Sequence, residues 1–269
     1  MTSGEYFRRK LRQAVPTAIF RTAALSADWL AMVKTLPWSQ ARWLMAALSS
    51  DDGAASAELK TLDATTLKHP FRLRSRYSDA RSFIGTCIRS EYAPAFPRTA
   101  PDFVVDAGAY IGDFSALLLT RYPSARLIAL EPQVDAFQLA RQNLAPYPTA
   151  VALHAALWSS QGTLACQGTG IGASVAEGAG ANAVPCVSMD GVLSKAEFPR
   201  LDLFKCDIEG AEVHVFSSRD RAWLLRTECV LIELHNTEAA RTVHAACADA
   251  GLRFAGQYRS THVFRRSTK

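Results

Sequence analysis

The feature that most constrains the fold of this chain is a series of short apolar runs that begins after Pro101. The runs cover residues 103–108, 127–132, 150–157, 201–210 and 228–235, and the last two are almost continuously apolar until their polar carboxyl ends. Such runs are typical of parallel strands that helices cover on both faces. Helical patterns separate the first runs, and a terminal hairpin is predicted over 253–258 and 262–266. The pattern therefore predicts a Rossmann-like α/β domain with a mostly parallel sheet.

This α/β domain is predicted to occupy residues 99–269, with helices from about Gly112 to Arg121 and from Val134 to Leu144. A Gly/Ala-rich loop is expected over Gly168–Gly180. No run approaches the ~20 apolar residues that a membrane span needs.

Two further segments precede that domain. Residues 1–56 are predicted to be a helical extension, because apolar side chains recur at helical spacing up to Leu48, and residues 51–56 have the composition of a linker. Residues 57–98 are predicted to contain two short strands around Asp63–Thr66 and then a helix over Ser78–Ser90.

Positive charge is concentrated in the first part of the chain. Residues 1–100 contain 15 of the 30 Lys and Arg residues but only 8 of the 25 Asp and Glu residues. A basic surface suits an anionic glycan, a membrane surface or nucleic acid, but no interleaved basic and aromatic pattern supports nucleic acid, so no nucleic-acid partner is expected. Trp29, Trp38 and Trp43 permit peripheral membrane contact, although a small helical cap that packs on the core is the favoured interpretation.

The six cysteines form no CxxC pair and have no regular spacing. They are therefore predicted to be small buried hydrophobic residues, not disulfides or zinc ligands. Free cysteines fit a reducing compartment, and Arg21 interrupts what would be the apolar part of a signal peptide. A cytoplasmic location is expected.

The ends of the first two predicted strands carry residues that suit a nucleoside cofactor. In a parallel sheet, ligands bind at the carboxyl ends of the strands, and Gly108 and Gly112 there allow a tight turn before a helix. Glu131 ends the second strand, where a carboxylate can accept hydrogen bonds from ribose hydroxyls. Asp106 would repel a pyrophosphate but suits the ammonium of a methionine moiety, and Tyr110 breaks the GxGxxG spacing. These residues favour S-adenosylmethionine over NAD.

The fourth and fifth predicted strands end in a second group of polar residues. Asp207 and Glu209 lie two apart, and so do Glu233 and His235, so each pair would share a face of its strand. If the strands are neighbours, these side chains converge beside the cofactor, where a base accepts a hydroxyl proton during methyl transfer. His235 is the first candidate base because its ordinary pKa lies near neutrality, followed by Asp207 and Glu209. Glu212 is expected to have a structural role.

A divalent metal is an alternative use of the same group. Asp207, Glu209 and His235 are suitable ligand types. Nothing in the spacing of these residues requires an ion, however, so no metal site is expected.

Several of these motifs resemble those of the FkbM-type methyltransferase family, over about residues 68–266. The segments that carry the resemblance are DAGAYIGDFS (106–115), LEP (130–132), LFKCDIEGAE (203–212), HPFRLRSRYSDARSF (69–83) and EY (91–92). Of these, the DIEGAE element is the most distinctive. Tyr110 departs from the family, which usually has Asn there, and the first ~60 residues have no counterpart.

The resemblance implies a class I methyltransferase fold, a mostly parallel seven-stranded sheet with helices on both faces, here with the N-terminal helical extension. It also implies S-adenosylmethionine as cofactor and O-methylation of a hydroxyl on a sugar, a polysaccharide or a natural product. The residues expected to bind the cofactor are Asp106, Gly108, Ala109, Tyr110, Gly112, Glu131, Pro132, Asp207, Ser78, Asp79 and Tyr92.

Two other functions remain open from the sequence. An NAD-linked oxidoreductase would use a similar sheet and a similar carboxylate at the end of the second strand. A non-catalytic binding protein would keep the fold and act through its helical N-terminus, although it would have no need of acids at strand ends.

Overall fold

The computed structural model describes residues 17–52, 57–178, 182–218 and 221–267. The elements before the main sheet are α1 (Thr17–Thr35), α2 (Trp38–Ala47), β1 (Leu59–Leu62), β2 (Phe71–Arg74) and α3 (Tyr77–Phe83), which continues as a π-helix over Ile84–Ile88. A 3₁₀ turn over Ala93–Ala95 follows. The first half of the main sheet is built from β3 (Phe103–Ala107), α4 (Asp113–Arg121), β4 (Arg126–Leu130), α5 (Val134–Leu144) and β5 (Ala150–Leu153).

The next four strands are short: β6 (Ala156–Leu157), β7 (Gly162–Gln167), β8 (Ser174–Ala176) and β9 (Ala183–Val187). The chain then returns to the main sheet through α6 (Met189–Lys195), β10 (Leu203–Cys206), α7 (Glu212–Ser217), α8 (Ala222–Leu225) and β11 (Cys229–Glu233). It finishes with α9 (Thr237–Asp249), β12 (Leu252–Tyr258) and β13 (Thr261–Arg266).

The main sheet has seven strands in the order β12-β13-β11-β10-β3-β4-β5. The pairs from β11 to β5 are parallel, whereas β13 runs antiparallel to both of its neighbours. Because β3 and β10 are adjacent, the carboxyl ends of the strands that hold Asp106 and Asp207 meet at one edge.

Helices cover both faces of this sheet. Because alternate strand residues point to opposite faces, each strand contributes side chains to the apolar cluster on either side. Val104 packs in one apolar cluster with α2 to α5, and Phe103 and Val105 pack in a second cluster with α6 to α9. The predicted Rossmann-like architecture, a mostly parallel seven-stranded sheet with helices on both faces, is therefore confirmed. The two short strands near residue 63, the helix after Ser78 and the terminal hairpin are also confirmed.

A second, four-stranded sheet in the order β6-β9-β7-β8 lies between β5 and β10 in the chain, and the sequence analysis did not predict it. The prediction of a single strand over residues 150–157 was wrong. Strand β5 ends at Leu153, and the following residues form β6 in this second sheet. The predicted loop over Gly168–Gly180 contains β8, and residues 179–180 lie outside the described residues. These strands were not predicted because their apolar residues are sparse. In addition, β9 contains Pro185, and proline is depleted from strand interiors.

The N-terminal helices α1 and α2 pack against the main core through Met32, Leu36 and Leu44, all of them buried. Residues 1–16 and 53–56 lie outside the described residues, so the extension over 1–56 and its linker stay predictions, as does the three-part division of the chain. In the part of the chain that the structure describes, no helix is long and apolar enough to cross a membrane.

Candidate functional site

The carboxyl ends of β3, β4 and β10 form the floor of a cleft. The space between its walls is about 560 Å³, including the part that opens to solvent. Gly108, Tyr110 and Glu131 line one side, and Asp207 and Glu209 line another. The apolar lining comes from Leu130, Leu157, Ile171, Val175 and Ile208.

The turn after β3 depends on a glycine. Gly108 has φ of 75°, and a Cβ built on it would lie 1.7 Å from the carbonyl oxygen of Asp207. Only glycine therefore allows the two strand ends to approach this closely. Gly112, with φ of 83°, is the residue before α4, and Ala109 is buried beneath the turn.

Glu131 is buried at the end of β4 and is held by two backbone amides. Tyr110 N donates to its Oε2 at 2.7 Å, and Gln133 N donates to its Oε1 at 2.8 Å. Burial raises the pKa of the Glu131 carboxyl to about 7, although these amides and Lys205 lower it. Pro132 lines the cleft next to Glu131. The carboxylate is thus fixed in orientation, and each oxygen keeps a lone pair for a ligand.

Asp106 does not line the cleft, contrary to the prediction that it would contact a cofactor ammonium. Its carboxylate is fully buried, accepts a hydrogen bond from Ser115 Oγ at 2.6 Å, and lies 3.2 Å from Lys205 Nζ. Lys205 also donates to the carbonyl oxygen of Gly108 at 2.6 Å and lies 4.0 Å from Asp207. Asp106 and Lys205 therefore hold the two strand ends together behind the cleft wall.

The importance of Lys205 was underrated from the sequence, where it was considered only as a pairing partner for acids such as Asp207 and not for Asp106. Burial lowers its pKa, but Asp106 and Asp207 raise it more, so the net shift is upward. A single lysine in the middle of an apolar strand was the available signal, because a buried lysine requires a partner charge.

The residues predicted from the segment before β3 surround the cleft, but none of Ser78, Asp79 and Tyr92 lines it. Asp79 accepts a hydrogen bond from Tyr110 Oη at 2.6 Å, and it also accepts from Nε, Nη2 and the backbone N of Arg74. Tyr92 is packed edge-on against Phe114, and burial raises the pKa of its hydroxyl. These side chains position the cleft wall, and Tyr110 reaches the cleft itself.

Ser78 joins α3 to a loop that covers the cleft. Its Oγ donates to Asp52 at 2.6 Å and accepts from Ile171 N at 3.1 Å. Gly170 O in the same loop accepts from Gln133 Nε2 at 2.9 Å. The sequence analysis missed the role of this loop, since a Gly/Ala-rich stretch gives no indication of which surface it contacts.

His235 lies at the end of β11 among carboxylates from the end of β10, as predicted. Its Nε2 is 3.2 Å from Glu209 Oε2 and 3.5 Å from Asp207 Oδ1, and its Nδ1 is 2.8 Å from Oε1 of the fully buried Glu212. We call Asp207, Glu209 and His235 the strand-end cluster. Asn236 next to it caps α9 by accepting from Ala239 N.

The pKa of His235 differs from the near-neutral value that made it the first candidate base. Burial lowers this pKa, but the hydrogen bond to Glu212 and the charges of Glu209 and Asp207 raise it to about 9. The imidazole therefore carries a proton at pH 7 in the protein alone. The pKa of His235 is therefore not near neutrality, as had been expected, although His235 lies beside Asp207 and Glu209 as predicted.

Comparison with known proteins adds to this geometry. Residues 106–252 match the family model of the methyltransferase FkbM domain. The hexuronic acid methyltransferase AglP of Haloferax volcanii is 28% identical over 138 residues, which are 50% of this chain and 56% of that protein. Methyltransferase sdnD of Sordaria araneosa is 42% identical over 65 residues, 23% of this chain and 25% of that protein. The chain thus spans about half, or less, of these curated relatives.

Among solved structures, methyltransferase FkbM from Methylobacillus flagellatus KT aligns with a TM-score of 0.49 at 13% identity. That alignment covers 69% of this chain and 53% of the other. The family match contains the Gly108 turn, Glu131 and the whole strand-end cluster. Because it extends over more than half of the chain, the chain belongs to the FkbM methyltransferase domain family.

Proposed function

We propose that this chain is an S-adenosylmethionine-dependent methyltransferase that methylates a hydroxyl group of a sugar, a polysaccharide or a natural product. The observation that carries the proposal is that Gly108, the fixed carboxylate of Glu131, and Asp207 and Glu209 of the strand-end cluster all line one cleft, while His235 contacts those two carboxylates. One side suits a nucleoside, and the other suits proton transfer.

The residues of the cleft fit the cofactor. Glu131 would accept hydrogen bonds from the ribose hydroxyls, and the Gly108 turn would let the backbone approach the ligand closely. Leu130, Leu157 and Ile208 offer apolar surface for the adenine ring. Bound there, S-adenosylmethionine supplies an electrophilic methyl group on a positively charged sulfur. Asp207 and Glu209 give this side of the cleft the negative charge that suits a cationic ligand.

The strand-end cluster is proposed to take up the proton of the acceptor hydroxyl. An alcohol is a poor nucleophile while it is protonated, so a group beside the reacting oxygen must accept its proton. His235, Asp207 and Glu209 stay the candidates, and the proton already on the imidazole favours the two carboxylates in the first step. Holding the acceptor oxygen close to the methyl group would supply much of the rate.

The acceptor class rests on the motifs and on the relatives. AglP is named as a hexuronic acid methyltransferase, and sdnD is named as a methyltransferase. A hydroxyl of a sugar acid is therefore the first acceptor to test. A cytoplasmic location and peripheral membrane contact through the N-terminus stay predictions, as does the absence of a nucleic-acid partner.

Sheet topology argues against the NAD-linked alternative. In the dinucleotide-binding order, the sixth strand lies beside the fifth. Here the antiparallel strand β13 separates β12 from β11, so the second half of a dinucleotide fold is not completed in the same way.

The proposed function is tested by calorimetric titration of the full chain with S-adenosylhomocysteine and, separately, with NADH. We expect saturable binding of the first ligand only, with affinity at least tenfold weaker in Glu131→Ala, because the ribose would lose its carboxylate partner. Glu197→Ala, on an exposed turn after α6, is the control. Binding of NADH alone would establish the oxidoreductase, and binding of neither ligand would favour the non-catalytic alternative.

The second step is a screen of uronic acids, neutral sugars and hydroxylated natural products with S-adenosylmethionine carrying a labelled methyl group. For the best acceptor, His235→Ala should lower turnover by about 10²-fold or more. Its affinity for S-adenosylhomocysteine should stay within a few-fold of the wild type. A loss of cofactor affinity with unchanged turnover would remove His235 from the chemical step.

A further inference from the structure

The strand-end cluster has the geometry of a metal site. One ligand atom from each of Asp207, Glu209 and His235 lies within 4.8 Å of the others. We propose that these three residues bind a divalent cation of the Mg²⁺ or Mn²⁺ class. Carboxylate oxygens suit such ions, and an imidazole nitrogen is an accepted ligand beside them.

The imidazole is oriented as a metal ligand requires. Nδ1 of His235 donates to Oε1 of Glu212, whose side chain is fully buried, and this leaves Nε2 facing Asp207 and Glu209. Histidines that bind metals almost always donate their other ring N–H to a carboxylate, which fixes the tautomer and the ring orientation. Glu212 supplies this second contact from α7. Binding of the cation would displace the proton from Nε2.

Buried oxygen atoms at the same place lack hydrogen-bond partners. Within the part of the chain that the structure describes, Oδ1 of Asp207 and Oε2 of Glu212 are buried and accept no hydrogen bond. An unsatisfied buried carboxylate oxygen is costly. A cation between Asp207 and His235 would provide the missing partner for Asp207 and would compensate the charge of Glu212.

The charges around the cluster are also unbalanced. Glu233, at the end of β11, adds a fourth carboxylate to those of Asp207, Glu209 and Glu212. Two cationic groups, Lys205 and His235, oppose these four carboxylates. Even with the imidazole protonated, an excess of negative charge is left that a divalent cation would neutralise.

The catalytic role of such an ion rests on the proposed function, whereas the binding of the ion to the strand-end cluster does not. An octahedral ion with three protein ligands keeps open positions for water or for the oxygens of a substrate. Coordination of the acceptor hydroxyl would lower its pKa and hold it beside the cleft. The proton of the hydroxyl would then pass to solvent water in the open cleft, and the three side chains of the cluster would act as ligands of the ion and not as the proton acceptor.

The test is a titration of the full-length protein with Mn²⁺, followed by electron paramagnetic resonance. We expect one saturable site in the wild type. Affinity should fall at least tenfold in Glu209→Gln and His235→Ala, which remove ligands, and in Glu212→Gln, which removes the orienting carboxylate. Glu197→Gln should bind Mn²⁺ like the wild type, because this exposed acid lies on the turn after α6.

A second measurement uses only the wild-type protein, so its result does not depend on whether the variants fold. Electron spin echo modulation of wild-type protein with Mn²⁺ should show coupling to one imidazole nitrogen, and labelling of histidine with ¹⁵N should change that signal. Saturable binding without nitrogen coupling would overturn the proposal, and so would unchanged affinity in Glu209→Gln or an absence of saturable binding at millimolar Mn²⁺.

The same samples are titrated with S-adenosylhomocysteine so that the two proposals fail separately. Protein that binds Mn²⁺ but no S-adenosylhomocysteine would contradict the proposed function and support the metal site. Protein that binds S-adenosylhomocysteine but no Mn²⁺ would contradict the metal site alone.

Discussion

Tyr110 and Glu209 both line the cleft, and both hold left-handed backbone, with φ of 49° and 50°. A residue other than glycine in this region costs about 1–3 kcal/mol and persists where its surroundings fix it. Tyr110 is held by its hydroxyl on Asp79, and Glu209 faces His235. Strain at two residues that line the cleft indicates a site that is held in shape before a ligand binds.

The glycine at the turn gives a prediction about stability. In Gly108→Ala, the new methyl group would meet the carbonyl oxygen of Asp207, so the strand ends must separate. We expect a loss of about 3 kcal/mol or more in the free energy of unfolding, measured with urea. Gly210→Ala is the matched control, since Gly210 also has positive φ but has open space around its Cα; it should cost about 1 kcal/mol. Equal costs in the two variants would show that the clash is relieved without separating the strands.

Glu131 gives a prediction about pH. Its pKa of about 7 in the protein lies above the ordinary value, mainly because of burial, and Lys205 and Asp106 face it. Ribose hydroxyls donate to the ionised carboxylate, so binding releases a proton from the protonated form. We expect the affinity for S-adenosylhomocysteine to be constant above pH 8 and to fall about tenfold per pH unit well below pH 7.

Calorimetry between pH 5.5 and 8.5 measures this dependence. Glu131→Gln should bind more weakly throughout and show a nearly flat profile, since the titrating group is gone. A profile in Glu131→Gln with the same slope as the wild type would assign the dependence to another group. In the absence of ligand the raised pKa has the opposite effect on folding: stability is lost as pH rises from 4.5 to 7.

At the residue level the sequence indicated which side chains meet but not which of them face the ligand. Asp207, Glu209 and His235 were identifiable because each follows an apolar strand, and parallel strands bring such ends together. Asp106, by contrast, lies within β3 at the level of Lys205 in the neighbouring strand, and it contacts that lysine behind the cleft wall. The raised pKa of His235 depends on Glu212, which lies in α7, whereas His235 follows β11. No residue spacing in the sequence predicts that contact.

At the level of elements, the loop over the cleft is fastened to α3 by Ser78, which gives a kinetic prediction. Ser78→Ala removes the hydrogen bonds of Oγ to Asp52 and to Ile171 N. A net hydrogen bond contributes about 1 kcal/mol, so S-adenosylhomocysteine should dissociate about 3- to 10-fold faster in stopped-flow displacement.

The matched control is Ser82→Ala in the same helix. Ser82 Oγ donates to the buried Asp113 at 2.6 Å and has no bond to the loop in the described residues. This variant should lose stability while its dissociation rate stays within twofold of the wild type. If both variants dissociate equally fast, the effect comes from α3 as a whole and not from the fastening of the loop.

The large elements followed from sequence periodicity, whereas the small sheet did not. Strands β3, β4, β10 and β11 are mostly apolar because helices cover both of their faces. Strands β7 and β8 are mostly half-exposed or exposed, with small and polar residues, so their apolar signal is weak. Pairing within that sheet comes from tertiary contact, which short-range patterns do not encode.

On the scale of the whole molecule, the N-terminal helices are anchored by a charge pair that makes a further prediction. The Arg89 guanidinium binds both carboxylate oxygens of Asp28, which is nearly buried in α1. Arg89→Ala would leave that carboxylate unpaired, so we expect a loss of about 2 kcal/mol in unfolding free energy.

Arg226→Ala is the comparison for this pair. Arg226 lies 3.6 Å from Asp190, and its side chain is 44% exposed, so its loss should cost less than about 0.5 kcal/mol. Urea unfolding of both variants measures the difference. An equally small cost for Arg89→Ala would mean that apolar contacts through Met32 and Leu44 are sufficient to anchor these helices.

The place of β13 in the sheet has a consequence for the order in which the domain can fold. β12 leaves the ribosome first, but its pairing partner in the main sheet is β13, which is synthesised after it. One side of the sheet therefore stays incomplete until residues 261–266 emerge and insert between β11 and β12. The pairing of β13 with β12 is a local hairpin, but its pairing with β11 spans α9 and β12, and the edge of β11 is unpaired until it forms. For this domain, the last strand to be made is the one that joins the end of the sheet to its centre.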